Sequence, residues 1–84
     1  MGQLDDAAKA YRASETALRR AQEAAQARMD AAREARAQAR ERLAEAIAAE
    51  ARVGTPQVEI IRITGYSRER VRQILRAAGI EADS

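Results

Sequence analysis

Thr55-Pro-Gln-Val-Glu-Ile-Ile-Arg-Ile-Thr-Gly-Tyr-Ser-Arg-Glu-Arg-Val-Arg-Gln-Ile-Leu75 carries two short apolar periodicities separated by a single glycine. Thr55 is expected to cap a helix, with Pro56 in the first turn, where no backbone N–H is required. Val58 and Ile61, with Ile60 on the adjoining edge, form the predicted apolar stripe of that helix. Gly65 then permits a positive φ, so the chain can turn sharply without a Cβ clash. Ser67 is predicted to cap the next helix, and Glu69 lies in its first turn, where the helix dipole favours an anion. Val71, Ile74, Leu75 and Ala78 recur at i, i+3, i+4, i+7 and are expected to face inward. Gly79 followed by Ile80 reads as a Schellman stop in which Ile80 folds back on Leu75. Two helices joined by a glycine turn make a predicted helix-turn-helix, one helix positioning and the other entering the major groove.

The outward side of the second helix has the chemistry for that task. Glu69, Arg72, Gln73 and Arg76 share it, with Arg68 at its leading end. Arginine can bond guanine through two donors, glutamine can pair with adenine, and glutamate can accept from cytosine N4. Arg68, Glu69, Arg72 and Gln73 are therefore the predicted base readers. Thr55, Arg62, Ser67, Arg70 and Arg76 are the predicted phosphate contacts, which fix register without reading sequence. An arginine-rich helix face alone reads more readily as a solvated surface. The glycine turn and the caps on either side of it favour the DNA reading.

The run Ser67-Arg-Glu-Arg-Val-Arg-Gln-Ile74 resembles the recognition helix in region four of bacterial primary sigma factors, which reads the upstream promoter hexamer. That resemblance implies base contacts for Arg68, Glu69 and Gln73, and places Arg70 and Arg72 at or near the backbone. It covers about 20 residues of the 84, and many unrelated helix-turn-helix proteins share the motif. No segment matches the sigma regions that bind polymerase or melt DNA, so a sigma factor is not expected. The whole layout, an Ala/Arg/Glu-rich helix followed by this unit, is more similar to small coil-plus-helix-turn-helix proteins of actinobacteria, which include nucleoid-associated proteins and small regulators.

Eighty-four residues allow one small domain and an appendage rather than a large enclosed core. The chain has no cysteine, histidine, tryptophan or phenylalanine. That excludes a disulfide scaffold, a zinc finger and any catalysis that depends on His or Cys. No enzyme activity, cofactor, metal or small-molecule ligand is expected. There is no run of 18 apolar residues, and the start bears aspartates, so neither a membrane span nor a secretory signal is indicated. Cytoplasmic residence at the nucleoid is the expectation. Net charge is only +2, but its distribution is uneven. Residues 53–80 hold Arg62, Arg68, Arg70, Arg72 and Arg76 against Glu59 and Glu69, a net of +3, while the tail 81–84 carries Glu81 and Asp83.

Between Leu4 and Arg52 there is no glycine or proline, and alanine, the strongest helix former, dominates. One continuous helix is predicted, about 48 residues and roughly 72 Å at 1.5 Å per residue. Asp5–Lys9 and Glu15–Arg19 are i,i+4 pairs of the favourable polarity. Leu4, Tyr11, Leu18 and Ala25 recur every seven residues and are the predicted dimerisation positions, continued by Ala32 and Ala39. The alternate seam positions Ala7 and Ala21 are small, and Ser14 and Arg28 interrupt, so this is an alanine-lined heptad rather than a leucine zipper. Near the end Leu43, Ala46, Ile47 and Glu50 change the pattern, with Leu43 and Ile47 placed to pack on Ile60, Ile61, Val71 and Ile74. The chain then leaves the helix at Val53-Gly54.

The expected fold is all-α, a long coiled-coil-like N-terminal helix leading into a three-helix helix-turn-helix domain. Residues 1–39 form the dimerising helix, 40–80 the DNA-binding domain and 81–84 a tail. The expected function is that of a homodimeric double-stranded DNA-binding protein, a small transcriptional regulator or nucleoid-associated protein. The competing reading is a coiled-coil interaction module for a polymerase or sigma partner. A recombinase or transposase fragment is a third, but no acidic catalytic cluster supports it.

Overall fold

The computed structural model describes residues 2–81, so Asp83 and most of the predicted tail lie outside the described residues. The fold is all-α: α1 spans Gln3–Arg52, α2 Gln57–Thr64 and α3 Arg68–Ala77. The chain divides into two compact units, Met1–Arg36 and Ala37–Ser84. From Gln3 onward the first consists of α1. Alanine and long straight-chain residues sustain its helix, and Asp5 and Asp6 in the first turn suit the dipole. On its apolar edge Leu4, Tyr11 and Leu18 are 83%, 64% and 60% exposed.

The second unit contains the core. Ile47, Ile60, Val71 and Leu75, one or two residues from each helix, are buried together. Leu43, Ala51, Ile61, Tyr66, Ile74 and Ile80 pack around them, and Ala48 is buried as well. The end of α1 thus supplies the third wall that two short helices need to hide their apolar faces. Ala46 and Glu50, grouped with Leu43 and Ile47 in the sequence, stay exposed; Ala48 and Ala51 take the inward positions instead.

All three exits use glycine. At the end of α1 the Gly54 N–H donates to the Ala51 carbonyl at 3.1 Å and the Thr55 N–H to the Glu50 carbonyl at 3.0 Å. At the end of α3 the Gly79 N–H reaches Arg76 at 3.0 Å and the Ile80 N–H reaches Leu75 at 2.8 Å, the paired bonds of a Schellman stop. Gly65, at φ +74°, ends α2 in the simpler way, with one bond from its N–H to the Ile61 carbonyl at 2.9 Å.

Two expectations for α2 are corrected. Thr55 does not cap it. Pro56 holds the N-cap position with no side-chain bond, because Thr55 is taken up by the α1 exit: its N–H closes that stop and its hydroxyl donates to the Glu50 carboxylate at 3.4 Å. Val58 does not face inward and is 67% exposed. Residues two apart on a helix point about 200° apart, so Val58 and the buried Ile60 cannot share a face. Thr64, one turn after Ile60, sits on the inner side and donates its hydroxyl to the Ile60 carbonyl at 2.8 Å.

Candidate nucleic-acid interface

The link between α2 and α3 is three residues, Gly65-Tyr66-Ser67, held by short-range hydrogen bonds. The Tyr66 N–H donates to the Thr64 hydroxyl at 3.1 Å. Ser67 stands at the N-cap of α3 in an extended conformation, and its hydroxyl accepts from the Arg70 N–H at 3.1 Å. The turn therefore fixes where α3 begins and which of its sides is buried. Val71 and Leu75 are sealed in the core, and Ile74 and Ala78 are half-buried beside them.

The rest of α3 is exposed. Glu69, Arg72, Gln73 and Arg76 lie on the side opposite Val71 and Leu75, while the 100° step places Arg68 and Arg70 on its two flanks. Glu69 and Arg72 form an exposed ion pair at 3.5 Å. That pair joins two predicted base readers on one ridge. Arg70 stacks over the Tyr66 ring, 5.6 Å from its centroid, a geometry suited to cation–π attraction. Tyr66 was not singled out by the sequence reading. The signal for it is an aromatic ring between a turn glycine and an N-cap, four residues before an arginine.

The predicted phosphate contacts separate into two groups. Arg70 and Arg76, like the predicted base reader Arg68, have no acidic partner among the described residues. Arg62 is already engaged: its Nε donates to Glu59 at 3.0 Å and its Nη2 to the other carboxylate oxygen. That hydrogen bond holds the Glu59 carboxyl below its usual range, a little desolvation opposes the effect, and the Arg62 charge adds to it. Of the five arginines in residues 53–80, two are answered by Glu59 and Glu69, and the positive charge left over lies on α3. Thr55 is half-buried, with its hydroxyl directed to Glu50.

No group of three or more metal-ligating side chains occurs among the described residues. No helix among them is long and apolar enough to cross a membrane. Comparison with protein-family models, characterised proteins and solved structures returns no match.

Proposed function

We propose that this protein is a dimeric double-stranded DNA-binding protein, a small transcriptional regulator or nucleoid-associated protein that reads the major groove with α3. The observation that carries the reading is the division of α3 into two faces. One seals the core through Val71 and Leu75, and the other exposes Arg68, Glu69, Arg72, Gln73 and Arg76 in two and a half turns. A three-residue turn holds that face on a helix anchored from both sides, and rigid anchorage is what placing side chains against base edges requires. The resemblance of Ser67–Ile74 to sigma region four supports base contacts for Arg68, Glu69 and Gln73, and sets Arg72 nearer the backbone, so base reading by Arg72 rests on its chemistry and exposure alone. Arg70, braced on Tyr66, suits a phosphate, and Arg76 extends the basic face toward the end of the helix. The likeness of the layout to small coil-plus-helix-turn-helix proteins of actinobacteria supports action at the nucleoid.

Duplex binding of the Arg72→Ala and Gln73→Ala variants tests the assignment. Each is expected to lose roughly 1–3 kcal/mol of discrimination at one base position. Unchanged affinity and unchanged sequence preference in both would remove α3 as the reader.

A further inference from the structure

Every large apolar side chain of α1 from Leu4 to Leu43 falls on one register of alternating four- and three-residue steps. The positions are Leu4, Ala8, Tyr11, Glu15, Leu18, Gln22, Ala25, Met29, Ala32, Arg36, Ala39 and Leu43. A seam through Ala7, Ser14, Ala21 and Arg28 instead leaves Met29 and Leu43 to one side. Met29 is 50% exposed, like the stripe before it, and Leu43 is only half-buried. Alternating steps of this kind define the contact line of a two-helix coiled coil.

The charges on that line select its direction. A parallel in-register pair sets each seam residue against its own copy, so Glu15 meets Glu15 and Arg36 meets Arg36. Two like-charged layers inside a seam are strongly unfavourable, because neither charge gains a partner for its lost water. An antiparallel pair whose facing residues sum to 47 removes both. Leu4 then faces Leu43 of the second copy, Leu18 faces Met29, and Ala8 faces Ala39. Glu15 lies against Ala32, and Arg36 against the ring of Tyr11, a favourable cation–π placement. The flanks do not alter the choice: Asp5 would lie near Arg40 of the second copy and attract it, while Arg12 and Arg33 would repel. Arg33 is already answered by Asp30 at 3.7 Å.

The second unit offers a place for the end of such a partner. Between the end of α1 and α2 runs an open groove of about 100 Å³, whose apolar lining is Leu43, Ala46, Ile47, Ile60 and Ile63 and which Glu50 also borders. Leu43 is the residue that the register sets against Leu4, the most exposed large apolar side chain among the described residues.

We infer that two copies pair through α1 as an antiparallel coiled coil, with Leu4 of each copy seated at the Leu43 groove of the other. This deepens the dimeric DNA-binding reading and rests on it for its purpose, though not for its test. The chain has no cysteine, so single substitutions report cleanly. Ala8→Cys and Ala39→Cys full-length variants are mixed, allowed to exchange, oxidised and weighed without reductant. Antiparallel pairing predicts a mixed Ala8→Cys/Ala39→Cys disulfide dimer, with neither variant linking to itself when alone. The self-link is blocked by distance, since position 8 of one copy lies roughly 46 Å from position 8 of the other. Self-linking of Ala8→Cys alone would establish a parallel pair and overturn the inference while leaving a DNA-binding dimer standing. No link in any combination, with a monomeric sedimentation mass, would overturn both the inference and the dimeric part of the proposed function.

Discussion

Ser67 and Gly65 set the geometry of α3 by different physical means, and each can be removed by one substitution. The Ser67 hydroxyl satisfies an N–H that the first turn of α3 would otherwise leave without a partner. Ser67→Ala is expected to cost about 1 kcal/mol, read as a lowered melting midpoint. An added Cβ at Gly65 meets no atom within 4 Å, so Gly65→Ala is penalised by its backbone conformation alone. At φ +74° the cost is roughly 1–2 kcal/mol, and it should appear without a rearranged core. Arg62 and Arg70, equivalent as letters, should separate in duplex binding. Arg70→Ala should weaken it more than Arg62→Ala, because Glu59 already occupies the Arg62 guanidinium; equal losses would contradict that ranking. The Glu59–Arg62 pair gives a pH dependence. The Glu59 carboxyl is lowered in the folded state, so its contribution is present above the unfolded carboxylate pKa and fades as pH falls through the lowered one. Ser67, Gly65 and the Gly79-Ile80 stop were legible in the sequence because caps and left-handed turns depend on residues within five positions of each other. Thr55 escapes such a local reading because two neighbouring elements compete for it, and the exit of α1 takes it.

At the scale of the element, the end of α1 works as part of a three-helix unit rather than as more coil. Ile47→Ala or Leu75→Ala removes a buried side chain where each helix contributes only one or two, and should cost about 2–5 kcal/mol in thermal melting. Leu43→Ala should cost less, since Leu43 lies at the half-open edge of the core. An unchanged midpoint for Ile47→Ala would contradict the three-helix unit. The existence and type of all three helices could be read from the sequence, α1 from its unbroken alanine-rich composition and α3 from its i, i+3, i+4, i+7 repeat. The inward side of α2 could not. Its eight residues QVEIIRIT hold four β-branched aliphatics, so several rotations offer an apolar face. Burial of Ile60 against α1 and α3 makes the choice, and that contact is tertiary.

For the whole molecule, a formal net charge of +2 hides a basic helix face, and DNA binding is expected to follow that face rather than the sum. Affinity for duplex should fall with added salt by about 0.9 decade per decade of salt for each phosphate neutralised. Replacing Arg70 or Arg76 by alanine should reduce that slope by about one if each meets a phosphate. The seven-residue period of the proposed dimerisation positions is visible in the sequence, and Leu4, Tyr11 and Leu18 are exposed on α1, which is what the proposed pairing of two copies would cover. The most direct test of the central claim is to incubate the full-length protein with a random-sequence duplex pool at moderate salt and sequence what it retains. The account predicts retention with a short enriched motif, read by Arg68, Glu69, Arg72 and Gln73. Retention without enrichment would remove base reading and leave an architectural DNA binder, and no retention at all would contradict the account.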